Sequence, residues 1–257
     1  MNKTISIDNL MASNLGKVGN NYQNQQSQSL TPVIQLENIT HIFNQGMPNE
    51  YKLFENFNLT IPDIPGQAQL VSIMGASGCG KSQMLKVIAG LSKFNEGTVK
   101  VYGEPIGENH SFPMVFQTYS NFEWYTVLEN VMMPMELYSN YTNSEISELA
   151  SYKLSLVGLA DFDDFYPSEI SGGMKKRAAL ARALSLDPKI VYCDEPSAGL
   201  DPISSKQLDD LILELNQNLG TTFVIVTHEL NSIFAIGNNS IFLDRENKNI
   251  SARGNPN

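Results

Sequence analysis

The chain has 257 residues, with 27 acidic against 17 basic side chains, a net charge of -10, 42% apolar residues and 17% charged ones. That profile suits one large α/β domain or two small ones with a self-sufficient core, and it excludes a wholly disordered chain. No run approaches the roughly 18 uninterrupted apolar residues of a spanning helix, and the acidic balance weighs against nucleic acid as the main partner, which needs clustered Lys and Arg.

In chain order, the first 30 residues hold ten Asn or Gln and three charged residues, with no hydrophobic periodicity. They predict a mobile, low-complexity tail over 1–32. Asp8, and the lack of a basic stretch followed by an apolar run, predict no secretory leader. Alternation starts at Val33-Ile34-Gln35-Leu36 and announces a strand. Further strands are predicted at 56–61 and 68–74, then a helix over 81–91 that Gly97 helps to end, then strands at 98–102 and 112–117. Between Thr126 and Phe165 the spacing turns helical (Leu128, Val131, Met132, Met135; Ile146, Leu149, Leu154, Val157), which reads as an insertion. A helix is expected from Lys175 to Ser185. An apolar strand follows at 190–193, then a helix through Leu208, Leu211, Ile212, Leu215 and Leu219, and a strand at 222–227. A short helix from Glu229 and strands at 240–244 and 249–252 complete the chain. Alternating strands and helices predict a mainly parallel sheet covered on both faces. Two cysteines, Cys79 and Cys193, are too few for a disulfide scaffold and read as small buried fillers in the reduced state.

Gly75-Ala76-Ser77-Gly78-Cys79-Gly80-Lys81-Ser82 fits G-x-x-x-x-G-K-S/T, with an apolar strand before it and a helix after it. The glycines let main-chain N–H groups converge on an anion, and the helix adds the positive end of its dipole. Lys81 would reach the β- and γ-phosphates of ATP, and the Ser82 hydroxyl would hold Mg²⁺. The strand Ile190–Cys193 ends in Asp194 and Glu195. A carboxylate at a buried strand tip can hold Mg²⁺, which suits Asp194. Alternation along the strand turns Glu195 another way and frees it to polarise water. Alone, the pair would read as a solvated acidic strand end; the phosphate loop tips the balance. Ser171-Gly172-Gly173-Met174 before a helix makes a second anion cradle. One nucleotide needs one cradle, so two copies closing on each other's γ-phosphate is the economical arrangement.

With these motifs the chain resembles the ABC-transporter ATPases, over about residues 33–254. Gln117 matches that family's Q-loop. Ser171–Met174 matches the signature, which more often ends in Gln. Ser197, Gly199 and Asp201 lie in a D-loop match, and His228 matches the switch histidine. The resemblance implies a P-loop NTPase of ABC type: a RecA-like, mainly parallel core sheet, a short antiparallel portion and a helical subdomain at about 120–185. It also implies that Gln117 touches Mg²⁺ or the lytic water, and that His228 contacts the γ-phosphate and helps position Glu195. Adenine would stack on Phe43; Tyr51 competes, and a core role for Phe43 fits equally. His41 and His110 carry no functional reading.

The wording around the signature (Ile170 to Ala178), after the acids (Glu195 to Ile203), at Val127–Pro134 and at Thr227–Leu230 is similar to the ATPases of Mla/Mce-type lipid transporters. This subgroup resemblance implies phospholipid transport between bacterial membranes. The partners would be a second copy of the chain, a permease and a lipid-binding Mce-type protein, with the chain peripheral on the cytoplasmic face of the inner membrane. About half of the insertion's aromatic and Met residues are expected to form its own core, and Trp124 and Tyr125 to face a partner. The alternatives are another importer or exporter subtype and, less well matched, a soluble non-transport ABC ATPase. A regulator without turnover fits poorly, because Glu195 and His228 are both present.

Overall fold

The computed structural model describes residues 31–107, 112–227, 239–244 and 250–254. His110, His228, the helix predicted from Glu229, Asn249 of the last predicted strand and residues 1–30 of the predicted tail lie outside them. In chain order the elements are β1 (Ile34–Phe43), β2 (Tyr51–Ile61), β3 (Leu70–Gly75), α1 (Lys81–Ile88), β4 (Glu96–Val101), β5 (Glu104–Pro105) and β6 (Met114–Val115). There follow α2 (Val127–Tyr138), α3 (Asn143–Leu156), α4 (Gly172–Ala183), β7 (Ile190–Asp194), α5 (Pro202–Leu219), β8 (Thr222–Val226), β9 (Asn239–Leu243) and β10 (Ile250–Gly254).

A six-stranded sheet runs β10-β9-β3-β8-β7-β6, and all its pairings are parallel except that of β9 with β10. The antiparallel portion is a separate four-stranded sheet, β2-β1-β4-β5. The central strands are buried on both faces, and their alternate residues enter two different cores. Val71, Ile73, Ile190, Tyr192, Val224 and Val226 pack with the antiparallel sheet and α1. Leu70, Val191, Cys193, Phe223 and Ile225 pack with α2–α5. The period of two along a strand makes this division.

Several bounds differ from the sequence reading. The first helix stops at Ile88, not Leu91, because Gly90 takes a left-handed turn (φ 75°) well before Gly97 is reached. β2 begins at Tyr51 rather than 56, and the strand expected at 112–117 shrinks to Met114–Val115. The helix expected from Lys175 starts at Gly172, because the Ser171 side chain caps it by accepting from the Met174 N–H. Both cysteines are buried and free, and burial pushes the Cys193 thiol up to about 12.

The helical insertion is organised locally. Thr126 with Glu129, and Thr142 with Glu145, form capping boxes that fix where α2 and α3 begin. A fully buried Asn130 ties α2 to the preceding loop. Its amide donates to the carbonyls of Phe122, Tyr125 and Thr126, and its Oδ1 accepts from the Phe122 N–H at 2.8 Å and from Arg182 at 3.3 Å. Asn130→Ala would strand several buried polar groups and is expected to cost about 3 kcal/mol, since each buried orphan costs about 1–3 kcal/mol. Urea unfolding of the purified chain measures it, and an unchanged midpoint would contradict this account.

Candidate functional site

β3, β6, β7 and β8 run parallel, so their C-terminal ends share one edge of the sheet, where open α/β sheets bind ligands. The phosphate loop leaves β3 there. Gly75 (φ 147°) and Gly80 (φ 100°) adopt backbone that side chains resist. A Cβ on Gly75 would lie 2.5 Å from the Leu243 carbonyl oxygen, and one on Gly80 would lie 2.8 Å from the Phe54 ring. Gly78 (φ 78°) faces open space, with nothing within 4 Å of an added Cβ. Gly80 also precedes α1 with no side-chain cap, which leaves the first-turn N–H groups available to an anion. The buried Lys81 ammonium donates to the carbonyls of Gly75 at 2.9 Å and Ala76 at 3.2 Å, folding over the loop it belongs to. Ala76, Ser77 and Cys79 fill the loop, and a Cys79 N–H···O=C bond to Ala76 at 3.3 Å closes its turn.

Ser82, next on α1, donates to Asp194 Oδ1 at 2.7 Å across 112 residues of sequence. The register explains the meeting. Ile190 and Tyr192 point into the core on the α1 side, and Asp194 follows two residues later in the same direction. Glu195 lies beyond the regular strand, so the expected alternation does not set its direction. β7 ends at Asp194, and Glu195 takes a left-handed backbone (φ 50°) while its N–H still makes the ladder bond to the Val226 carbonyl at 2.8 Å. A non-glycine residue there carries a strain of about 1–2 kcal/mol.

Gln117 lies two residues beyond β6, whose register (Val115 opposite Cys193) brings it to the same edge as Asp194; its side chain is exposed. His228 lies outside the described residues. Ser171 caps α4, and Gly172 and Gly173 form its first turn; the nearest atoms to their added Cβ atoms belong to Tyr119, Leu200 and Ser204. Ser197 is buried and Gly199 exposed, with φ 80°. Asp201 accepts from the N–H groups of Ile203 and Ser204 as the N-cap of α5, and its bonds to Ser204 hold its carboxyl below the usual range.

Phe43 and Tyr51 are register partners across β1 and β2, 38% and 47% exposed, so they form one aromatic step. Phe43 stands edge-to-face on His41 at 4.6 Å, and His41 Nε2 meets the Gln83 amide of α1 at 3.0 Å, which ties the step to the phosphate-loop helix. Trp124 is 70% exposed. Near it, a cavity of about 600 Å³ is lined by Phe112, Phe122, Met133, Tyr138, Arg182 and Leu186 among others. Among the described residues, no helix is long and apolar enough to cross a membrane.

Sequence reasoning missed Lys176. It is 2% exposed, and its ammonium donates to the carbonyls of Phe116 and Gln117. Burial pushes its pKa down, against the opposing pull of Cys193 and Asp194. Helical spacing was the available signal, because Lys176 sits three and four residues before the buried Ala179 and Leu180.

The family described as "ABC transporter" matches residues 54–198. The methionine import ATP-binding protein MetN of Escherichia coli O157:H7 is 36% identical over 210 residues, covering 78% of this chain and 60% of that protein. The chain therefore spans about 60% of the length of such curated relatives. Two solved structures are similar in fold. The dimeric MJ0796, a bacterial ABC transporter cassette, has a TM-score of 0.74 at 30% identity, covering 87% of this chain and 99% of that one. The same cassette in a dimeric post-hydrolysis state bound to ADP and Pi has a TM-score of 0.73 at 28% identity, with the same coverage.

Proposed function

The chain belongs to the ABC transporter family, and from that premise we propose that it is the ATP-hydrolysing subunit of an importer, working as a pair of copies on a separate membrane permease. The observation that carries this reading is the 2.7 Å pairing of Ser82 with Asp194 beside an uncapped phosphate loop. In the proposed cycle the loop N–H groups take the phosphates, and Lys81 exchanges its two carbonyl partners for the β- and γ-oxygens. Ser82, Asp194 and the Gln117 amide oxygen are hard oxygen donors, the set that fits Mg²⁺. When bound, Mg²⁺ neutralises developing charge on the phosphates. Glu195 accepts a proton from the attacking water as the water oxygen bonds to the γ-phosphorus. The bond from that phosphorus to the β–γ bridging oxygen breaks, releasing ADP and phosphate, and His228 contacts the γ-phosphate. Adenine stacks on the step made by Phe43 and Tyr51. The second copy supplies the first turn of α4, Ser171 to Met174, whose N–H groups and positive dipole end face the γ-phosphate.

The same proposal takes 33–254 as the ATPase domain, with the helical subdomain at about 120–185. It seats a permease helix in the cavity between Phe112, Met133 and Tyr138, beside the exposed Trp124. That partner would hold the chain at the cytoplasmic face of the membrane.

The names of relatives such as MetN favour a small solute such as methionine as cargo. A second reading, phospholipid transport with a Mce-type partner, rests on Met174 and the residues flanking it. The test is phosphate release by the chain reconstituted with its co-purified permease. Stimulation by L-methionine supports the importer, and stimulation by phospholipid alone supports the second reading. A complex that never releases phosphate from ATP contradicts both.

A further inference from the structure

Among the described residues two lysines, Lys153 and Lys176, are enclosed to 2% exposure. Lys153 has the Asp187 carboxylate beside it. Lys176 is spent instead on two neutral acceptors, the main-chain carbonyls of Phe116 and Gln117, with the Tyr119 ring 5.5 Å from its ammonium. An enclosed ammonium is costly to hold, and an apolar side chain could fill the same space. The bonds it makes set the main chain at the residue whose side chain stands at the nucleotide edge.

Other contacts run the same way along the segment that follows. The Asn121 amide donates to the Lys175 carbonyl at 2.8 Å, and Arg182 donates to Ser120 Oγ at 2.9 Å while lying over the Phe122 ring. The Tyr119 hydroxyl sits so close to Gly172 that an added Cβ would lie 2.4 Å from it. Segment 116–122 is thus fastened along its length to α4, the helix that begins with the signature.

We propose that Lys176 is a positioning residue for Gln117, and that through it the segment meeting the chain's own nucleotide and the helix offered to the second copy move as one body. This rests on the role proposed above for Gln117. Contiguous bonded contacts of this kind can carry coupling between two sites, and displacements near 1 Å cost rate rather than fold.

The test is a double-mutant cycle on ATP hydrolysis by the full chain, using Lys176→Met and Gln117→Ala. Lys176→Met is expected to lower kcat about ten-fold, with KM for ATP moving less than about two-fold. In the Gln117→Ala background the same substitution should change kcat by less than about two-fold, because there is no side chain left to position. Trp124, the single tryptophan of the chain, lies seven residues after Gln117 and gives a second readout. Its emission should change with MgATP in the parent protein and change by half or less in Lys176→Met. Lys176→Gln, which keeps a donor, should recover part of both signals, and it carries the same cycle if the Met variant does not fold. Equal losses in the two backgrounds, or parental kcat in Lys176→Met, overturn the inference alone. Parental turnover in Gln117→Ala overturns the role of Gln117 and the inference with it.

Discussion

Glu195→Gln is expected to bind ATP as tightly as the parent chain and to lose hydrolysis by about 10²- to 10⁴-fold, the range that general-base catalysis contributes. The substitution is nearly isosteric and removes the acceptor for the water's proton. It should leave the fold alone, because it is nearly isosteric and keeps the main-chain bonds of residue 195, its N–H to Val226 and its carbonyl to the Ala198 N–H. The left-handed backbone there is equally strained with Glu or Gln, so the unfolding midpoint should not move. Binding of a fluorescent ATP analogue, phosphate release and urea unfolding together separate these effects. Parental hydrolysis by Glu195→Gln would move the proton acceptor elsewhere.

Ser171→Arg should likewise lose at least about 10²-fold in hydrolysis, the usual penalty for losing a preorganised donor at a transition state. The cause differs, since Ser171 belongs to the turn offered to the other copy. Removing its hydroxyl also uncaps α4 at Met174, which costs the monomer about 1 kcal/mol. A guanidinium at the positive end of the helix adds a few tenths more. ATP binding by each monomer should survive. In the Glu195→Gln background, which should trap nucleotide, size-exclusion chromatography with ATP should show a dimer that the added Ser171→Arg abolishes. Normal hydrolysis by Ser171→Arg would remove the basis for a shared site.

These expectations divide by how far along the chain their grounds extend. The phosphate loop was legible because an anion cradle is a local object: Gly75 to Ser82 specify it through backbone freedom and one adjoining helix. The signature turn is legible for the same reason, although its helix starts three residues earlier than the spacing predicts. A serine's capping bond to Met174 overrides the low helix propensity of two glycines. Phe43 and Tyr51 stayed open as rivals, and the β1–β2 register makes them neighbours in one step. The lipid-transport expectation rests on short segments around the signature, the acids, Val127–Pro134 and Thr227–Leu230, whereas the methionine-import relative matches over 210 residues.

By itself the sequence determined the α/β class and the order of the nucleotide motifs, because each motif is written within about ten neighbouring residues. The tertiary structure alone decided which groups meet. Ser82 reaches Asp194 only once α1 packs on the face toward which β7 turns alternate residues. Lys176 acquires a role only when α4 is laid against the carbonyls of Phe116 and Gln117. Glu195 departs from strand alternation because its backbone turns left-handed just past the end of β7. Strand register and burial depend on contacts between residues tens to more than a hundred positions apart, and local propensity carries no information about such pairs.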